Sequence, residues 1–358
     1  MSDTNNQASE RSGWLAYPLL VFAASRVLLF SFAKSAPIFG GKLGADPGLP
    51  QAFLFEHPFW AALGHGEFAN YARIARTGYA GLGDASYLPL VPLLGKGLGA
   101  AFGSIEIGLL VLSLAACAAG FVGSYRLFDH LRGRDTARWG VALLAAFPFS
   151  YHLSDGSALA CLLAFSTWGV LLALRGSFLS ATAILSLGVL AHPAGVFSAL
   201  ALVGSPASVG SRSTPWRKWT SVIVPGLALA LWPVYLRFHL GTSAAMVWGA
   251  LWPKTPAAGF AWSAMLIAFG ALVGGGNLLL ARLPGLRAFA LAGGLQVGFV
   301  LHAWNPASAV ALVLCWPAFL GLGDLLARRQ ALRAPLVAML GAHQGLLLYC
   351  FTHFVRLT

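Results

Sequence analysis

Long apolar runs constrain the fold of this chain more than any other feature of its sequence. Stretches of about 20 residues with almost no charge recur between residues 14 and 352, and this is the length that an α-helix needs to cross the hydrocarbon core of a bilayer. Inside that core every backbone N–H and C=O group must be satisfied internally. The sequence therefore predicts an all-helical polytopic membrane protein.

The composition agrees with this prediction. Only 9% of the residues are charged and 58% are hydrophobic, whereas soluble domains carry about 25% charged residues. We predict about 10 transmembrane helices plus a re-entrant or broken helix pair, because His192-Pro193 interrupts the run 178–207 and the second piece is too short to cross ~30 Å. The other spans are expected at residues 14–33, 105–127, 138–154, 157–174, 219–240, 258–281, 288–304, 307–327 and 334–352.

The formal net charge of +12 does not indicate a nucleic-acid partner. Most basic residues fall in short links between apolar runs, such as 129–139 and 211–219, and not on one face. Arginine-rich links stay on the cytoplasmic side of a membrane, so we expect a cytoplasmic N-terminus with these links inside. The loop 34–104, the turn at Asp155 and the segment 242–256 then lie outside.

The chain divides into a short tail and one domain. Residues 1–12 are polar and are predicted to form a disordered cytoplasmic tail, followed by a single transmembrane domain at 13–358. Within that domain, residues 34–104 are expected to form an extracytoplasmic loop with amphipathic helices near 53–63 and 67–79, lying at the membrane surface among lipids.

The segment 64–94 gathers acidic, basic and aromatic side chains in one long loop, where functional residues are expected in so apolar a chain. Glu67, on a short helix above the membrane, is a candidate general base that would accept a proton from a nucleophile. Asp155 is the second candidate acid, because the predicted topology brings its turn to the same face. The alternative for each is a solvated surface carboxylate.

Several cations are candidates for binding a substrate or a lipid phosphate. Arg26 lies within the first span, where an arginine either faces a partner or cavity or snorkels to the nearer surface. Arg237 and His239 lie at the outer end of a span, where they either meet a lipid phosphate or serve as ordinary interfacial anchors. Arg73, on the predicted helix of Glu67, could also face lipid headgroups.

Tyr71 and His152 complete the predicted binding set. Tyr71 fits an aromatic belt at the membrane interface, and His152 lies near a predicted helix end, where the alternative is a hydrogen-bonded structural histidine. The four cysteines lie in apolar runs without metal-ligand spacing and are interpreted as small core residues. No metal and no cofactor is assigned, and phosphate-binding or dinucleotide-binding motifs are absent from the sequence.

Two sequence elements resemble the hallmarks of the PIG-V family. YARIARTGY (Tyr71–Tyr79) is similar to the second half of the family's first-loop element, W-D-x-x-W-Y-x-x-I-A-x-x-G-Y, and SYLPLVPLL (Ser86–Leu94) to its F-F-P-L-Y-P-L-L element. Weaker likenesses cover residues 142–165, with the family's Phe-Pro and Tyr-Thr-Glu-Ser pattern, residues 187–196, with its Thr-Arg-Pro-Thr-Gly turn, and the position of Arg26.

The resemblance implies a GT-C glycosyltransferase with its active site in the outer loops. Such a protein would transfer a mannose-like sugar from a polyprenyl-phosphate donor to a lipid-linked or other acceptor, with Glu67 as the base. The bacterial relatives imply a location in the inner or plasma membrane. This chain has Gly66-Glu67 where the family has Trp-Asp, and Val310-Ala311 where it has Arg-Tyr.

Those departures support an alternative function. A diverged protein on the same scaffold, without catalytic activity, would serve as a lipid-binding or partner subunit. A transporter fits less well, because transporters are typically built from paired repeats and carry charged residues within their spans. The spans of this chain are nearly free of charge.

Overall fold

The computed structural model describes residues 2–35, 48–64, 67–203, 215–250, 260–303 and 310–352. The regular structure in these ranges is entirely helical, with no β-strand. The helices are α1 (Ser2–Ser35), α2 (Gln51–Glu56), α3 (Pro58–Leu63), α4 (Glu67–Thr77), α5 (Leu90–Phe102), α6 (Ile105–Arg132), α7 (Arg134–Ala146), α8 (Leu159–Leu174), α9 (Phe178–Ala191), α10 (Gly195–Leu200), α11 (Pro215–Leu240), α12 (Ala244–Ala250), α13 (Phe260–Ala281), α14 (Arg287–Ala303), α15 (Trp316–Arg328) and α16 (Arg333–Thr352).

Five stretches in the described part of the chain are long and apolar enough to cross a membrane. Four shorter apolar helices of 10–17 residues accompany them: Leu90–Phe102, Leu159–Leu174, Phe178–Ala191 and Arg287–Leu301. The five long stretches are Leu15–Ser35, Ile105–Arg132, Trp219–Leu240, Ala264–Ala281 and Gln330–Cys350. The predicted class, an all-helical polytopic membrane protein, is therefore confirmed.

Two predicted spans are interrupted in the structure. The run 138–154 ends its helix at Ala146, because Pro148 disfavours the helical conformation at the residue before it, and Phe147 is extended with φ −61° and ψ 135°. A 3-10 turn, Ser150–Ser154, follows. The run 307–327 likewise contains a 3-10 segment, Val310–Leu314, before α15 begins.

The predicted N-terminal tail and the end of the predicted long loop also differ from expectation. Helix α1 begins at Ser2, so the backbone of residues 2–12, predicted as a disordered tail, is helical. The loop 34–104 ends in the packed helix α5, whose Gly95 and Gly99 lie against α6. Glycine is a weak helix former, so the glycine-containing sequence of α5 does not by itself predict a helix. The cytoplasmic and extracytoplasmic assignments of these segments remain predictions.

The interruption at His192-Pro193 is present as predicted. Helix α9 ends at Ala191, His192 is extended, and its Nδ1 accepts a hydrogen bond from the Ala194 N–H at 3.1 Å. Helix α10 then covers only Gly195–Leu200. Residues 204–207, the end of the predicted pair, lie outside the described residues.

Charged groups separate to the two ends of α6. Glu106 near its start forms an ion pair with Arg76 of α4. Arg132 at its end pairs with Asp324 of α15 at 2.8 Å, and Arg328 also contacts that carboxylate at 3.0 Å. At 1.5 Å of rise per residue these two pairs lie roughly 40 Å apart along α6. The part of α4 that holds Arg76 therefore lies at the opposite end of α6 from Arg132 and Arg328.

The packing of α5 on α6 yields a first prediction. A Cβ atom at Gly108 of α6 would lie 2.5 Å from the backbone nitrogen of Gly99 and 2.9 Å from the carbonyl oxygen of Gly95, whereas one at Gly97 meets nothing within 4 Å. Gly108→Ala is therefore expected to destabilise the protein by about 1–3 kcal/mol through overpacking. Gly97→Ala is the matched control and should be neutral or slightly stabilising.

Thermal unfolding of the detergent-solubilised variants measures the difference. Equal melting temperatures for the two alanine variants would show that α5 is not packed against α6 as described.

Candidate functional site

Helix α4 carries the first candidate acid. Its apolar residues recur every three or four positions and form one face, which is buried, while Arg73 and Arg76 lie on the other side. Glu67 is the first residue of the helix, where the positive end of the helix dipole favours a negative charge. The amphipathic pattern thus fixes Glu67 at the edge of the buried face.

The carboxyl group of Glu67 lacks compensation. Its Oε2 atom is buried and has no hydrogen-bond partner among the described residues. Burial raises the pKa of Glu67 from about 4.5 to about 7, and the nearby charge of Asp155 adds to the increase. A carboxyl group with a pKa near neutrality is suited to gain and lose a proton at physiological pH.

Asp155 ends the Ser150–Ser154 turn and is itself buried. Its Oδ2 lies 2.6 Å from Nδ1 of His152, and its Oδ1 accepts a hydrogen bond from the Ser157 N–H at 2.8 Å. An ionised carboxylate can only accept hydrogen bonds, so the His152 ring is the donor, through Nδ1. The two predicted residues therefore form one hydrogen-bonded unit.

Gly156 brings this unit against α4. Its φ is +83°, a left-handed conformation that favours glycine. A Cβ atom there would lie 2.2 Å from the ring of Phe68, the residue after Glu67. The ring thus occupies the space that a side chain at position 156 would need, and the turn of Asp155 packs directly on the first turn of α4.

Tyr71 lies one helical turn beyond Glu67 and is 1% exposed. Its ring meets that of Tyr87 edge to face, with centroids 5.2 Å apart. Asn70 donates a hydrogen bond to the Tyr87 hydroxyl at 2.9 Å. Burial first, and the Glu67 charge second, raise the pKa of Tyr71 well above its usual value and that of Tyr87 to about 12, so both phenols stay protonated at neutral pH.

Arg73 lies on α4 but points away from Glu67. Its guanidinium makes a bidentate ion pair with Asp84, which also accepts a hydrogen bond from the Ala80 N–H at 2.8 Å. Burial is the largest single cause and would raise the pKa of Asp84, but the hydrogen bonds from Arg73, Ala80 and Gly81, together with the Arg73 charge, outweigh it and lower the pKa. Arg73, which was predicted to bind a lipid phosphate, is thus engaged in an internal ion pair that connects the loop carrying Asp84 to α4.

Arg26 reaches the same turn from α1. It is 3% exposed and donates hydrogen bonds to the carbonyl oxygen of Ser150 at 2.8 Å, to the Ser154 hydroxyl at 2.9 Å and to the Ser150 hydroxyl at 2.9 Å. Sequence analysis missed both serines, because they are 124 and 128 residues away and carry no pattern of their own. Their only signal is their position on either side of His152.

Arg237 and His239 lie apart from this cluster. Both are exposed at the end of α11, where the His239 ring stacks on Tyr235 with centroids 5.8 Å apart. Trp232, two turns earlier, donates its indole N–H to the carbonyl oxygen of Ala85 at 3.0 Å. The structure therefore brings this end of α11 to the loop that follows α4, without placing either cation at the carboxyl group of Glu67.

The candidate site comprises two acids, one histidine, one tyrosine and one arginine. Glu67 and Tyr71 on α4 lie against the turn of His152 and Asp155, and Arg26 holds that turn from within the bundle. Within the described ranges no three histidine, cysteine or acidic side chains converge as a metal site. The arrangement can bind a hydroxyl group and remove its proton.

No protein-family model and no curated protein matches the chain. Among solved structures it is similar to the Archaeoglobus fulgidus oligosaccharyltransferase in complex with Zn and sulfate, at 11% identity and a TM-score of 0.46 over 92% of this chain and 53% of that one. It is also similar to archaeal oligosaccharyltransferase AglB from Archaeoglobus fulgidus in complex with an inhibitory peptide and a dolichol-phosphate, at 13% identity and a TM-score of 0.45 over 93% of this chain and 55% of that one. The chain spans about half the length of these structures.

The contact between Gly156 and Phe68 yields a second prediction. Gly156 and Gly176 both have φ of +83°, but only at Gly156 would a Cβ atom meet another group. Each alanine substitution costs about 1–2 kcal/mol of backbone strain. Gly156→Ala must in addition displace the Phe68 ring, which costs about 1–3 kcal/mol more.

Chemical denaturation of the two alanine variants in the same detergent gives their difference in unfolding free energy. Equal destabilisation would contradict the contact between the Asp155 turn and α4.

Proposed function

We propose that this chain is a membrane glycosyltransferase of the GT-C class, related to the PIG-V family. It transfers a mannose-like sugar from a polyprenyl-phosphate donor to a lipid-linked or other acceptor on the extracytoplasmic face. One observation carries the proposal: Glu67 holds a buried carboxyl oxygen without a hydrogen-bond partner among the described residues. A buried acid in that state is destabilising unless a ligand uses it.

The location of that acid supports the proposal. Glu67 opens the helix whose later residues, Tyr71–Tyr79, carry the sequence resemblance. The apolar cluster around it includes Leu109 and Leu110, about one turn inside the first residue of α6. A site near the start of a membrane-spanning helix would be within reach of the phosphate group of a membrane lipid.

The proposed reaction uses Glu67 as the base. The acceptor hydroxyl attacks the anomeric carbon of the donor sugar while Glu67 takes the hydroxyl proton. The bond between that carbon and the phosphate oxygen breaks, and the polyprenyl phosphate leaves with the electron pair. Direct displacement inverts the anomeric configuration. Arg26, Arg237 and His239 are the candidates for stabilising the charge of the leaving phosphate.

Orientation in the membrane belongs to the same proposal. The arginine-rich links lie at the opposite end of α6 from the site. If those links face the cytoplasm, as the positive-inside tendency predicts, the site faces outward in a bacterial inner or plasma membrane.

Removal of the Glu67 carboxylate is the direct test. Glu67→Gln keeps the shape of the side chain but cannot accept the proton, so sugar transfer from labelled polyprenyl-phosphate donors should fall by about 10²–10⁴-fold. The matched control is Glu56→Gln, which changes an exposed acid on α2. Full transfer activity in Glu67→Gln would eliminate Glu67 as the base.

The pH dependence gives an independent test. Burial and Asp155 raise the pKa of Glu67 to about 7. Below that pH the base is protonated, so kcat/KM should fall about tenfold per pH unit. An ordinary glutamate would keep the rate constant down to about pH 5. The profile is measured between pH 5 and 8 in vesicles of constant composition, and a flat profile would count against Glu67.

A second candidate function is supported by the cations of α4. Arg73 and Arg76 are both neutralised by internal partners, and the acid itself stands where the family has Trp-Asp. A lipid-binding or partner subunit without catalytic activity fits these features. It would bind polyprenyl phosphate in equilibrium dialysis and release no free lipid phosphate from any labelled donor, which separates it from the enzyme.

A further inference from the structure

Arg26 is the most completely buried cation near the site. It lies midway along the candidate span Leu15–Ser35, and none of the ion pairs in the described part of the chain includes it. A charge inside an apolar bundle is costly unless hydrogen bonds compensate for it. The hydrogen bonds of Arg26 therefore show what the charge is used for.

The two terminal nitrogens of the guanidinium donate hydrogen bonds to one short segment, Ser150–Ser154. Nη1 donates to the Ser150 carbonyl oxygen and to the Ser154 hydroxyl, and Nη2 donates to the Ser150 hydroxyl. Nε donates to Ser25 on its own helix at 3.2 Å, and the ring of Phe121 lies 5.8 Å from the guanidinium carbon. Only 3% of the residue is exposed, which leaves little surface for a phosphate.

The segment held in this way is the one that carries His152 and ends at Asp155. Arg26 holds its first and last residues, and Ser154 immediately precedes Asp155 in the chain. Because the segment follows the helix break at Pro148, its backbone lacks the support of a continuous helical ladder. The rigid, planar guanidinium holds Nη1 and Nη2 in fixed directions toward its three acceptors in this segment, whereas a lysine has only one nitrogen, on a flexible stem, and cannot reproduce the separate Nη2 contact.

We propose that Arg26 is a positioning residue: by holding both ends of the Ser150–Ser154 turn, it sets where the carboxylate of Asp155 and the ring of His152 lie relative to Glu67. The inference rests on the proposed function, since it assigns a task within that site. It differs from a role in binding the donor phosphate, because Arg26 acts through the turn and does not touch the lipid.

Two substitutions break the clamp from opposite sides. Arg26→Lys keeps the positive charge and removes the fork, while Ser154→Ala removes one acceptor and leaves Arg26 in place. Phe22→Leu is the control, because Phe22 packs on the same α6 ring, Phe121, at 6.0 Å between centroids. All variants are compared as full-length protein in detergent and in vesicles.

Amide hydrogen exchange of residues 150–157 tests the clamp without any substrate. Arg26→Lys and Ser154→Ala should each raise the exchange rate of these amides about tenfold or more, and Phe22→Leu should leave it unchanged. Unchanged exchange in both clamp variants would overturn the proposal. If Arg26→Lys does not fold, Ser154→Ala and the control carry the comparison.

Transfer kinetics separate positioning from phosphate binding. A misplaced catalytic group should lower kcat about 10–100-fold with an unchanged KM for the polyprenyl-phosphate donor. The kcat of the combined Arg26→Lys and Ser154→Ala variant should equal that of Arg26→Lys alone, because both substitutions remove the same hydrogen bond between Arg26 and Ser154. A raised KM at constant kcat in Arg26→Lys would instead make Arg26 a donor ligand and refute the inference.

The two levels of the proposal fail in different ways. If the unaltered protein transfers no sugar from any donor, the proposed glycosyl transfer is refuted, and the exchange rates alone then decide whether Arg26 holds the turn. If the unaltered protein is active while the clamp variants keep both their exchange rates and their kcat, only the positioning role is refuted.

Discussion

The cost of removing charge from water governs how the polar side chains of this bundle are arranged. At both ends of α6, arginines pair with carboxylates, and in the interior the guanidinium of Arg26 is surrounded by serine oxygens. Glu67 departs from that arrangement, since one of its oxygens is buried without a partner among the described residues. Because the other buried charges named here are compensated, the unpartnered oxygen of Glu67 supports the proposal that a ligand binds there.

The helix break at Pro148 produces the turn that carries His152 and ends at Asp155. Pro148 ends α7 before the apolar run is finished, and the short turn that follows exposes backbone groups that a helix would have used internally. Arg26 takes up the Ser150 carbonyl, and the Ser113 hydroxyl donates to the Leu153 carbonyl at 3.1 Å. Non-helical backbone at this depth is tolerated when it is buried in protein and satisfied by it. The same turn carries His152 and Asp155 and packs on α4 through Gly156 and Phe68.

The all-helical membrane architecture could be predicted from the sequence, because apolar length is a strong signal. Glu67 and Asp155 stay predictions as site residues, proposed because acids are rare in so apolar a chain. The helix breaks after Ala146 and before Trp316 could not be predicted, since hydropathy averages over a proline that still lies in an apolar run, whereas the break at His192-Pro193 was predicted. Arg73 was expected to face lipid and instead pairs with Asp84, eleven residues away in a loop whose path the sequence does not reveal. The partners of Arg26 were equally hidden, because serines far along the chain have no periodicity that points to them.

The uncompensated state of Glu67 also separates the two functions that the chain could serve. A subunit that only binds lipid gains nothing from an acid whose pKa is raised to about 7, because the shift reflects free energy lost whenever the group ionises. A base that must take a proton from a hydroxyl gains from that same shift, since its proton affinity then matches neutral pH. Asp155 contributes to the shift only while its turn lies against α4, which the fit of the Phe68 ring over Gly156 ensures. The packing of the Asp155 turn on α4, 88 residues away in the sequence, thereby raises the pKa of one carboxyl group, as the proposed role of Glu67 as a base requires.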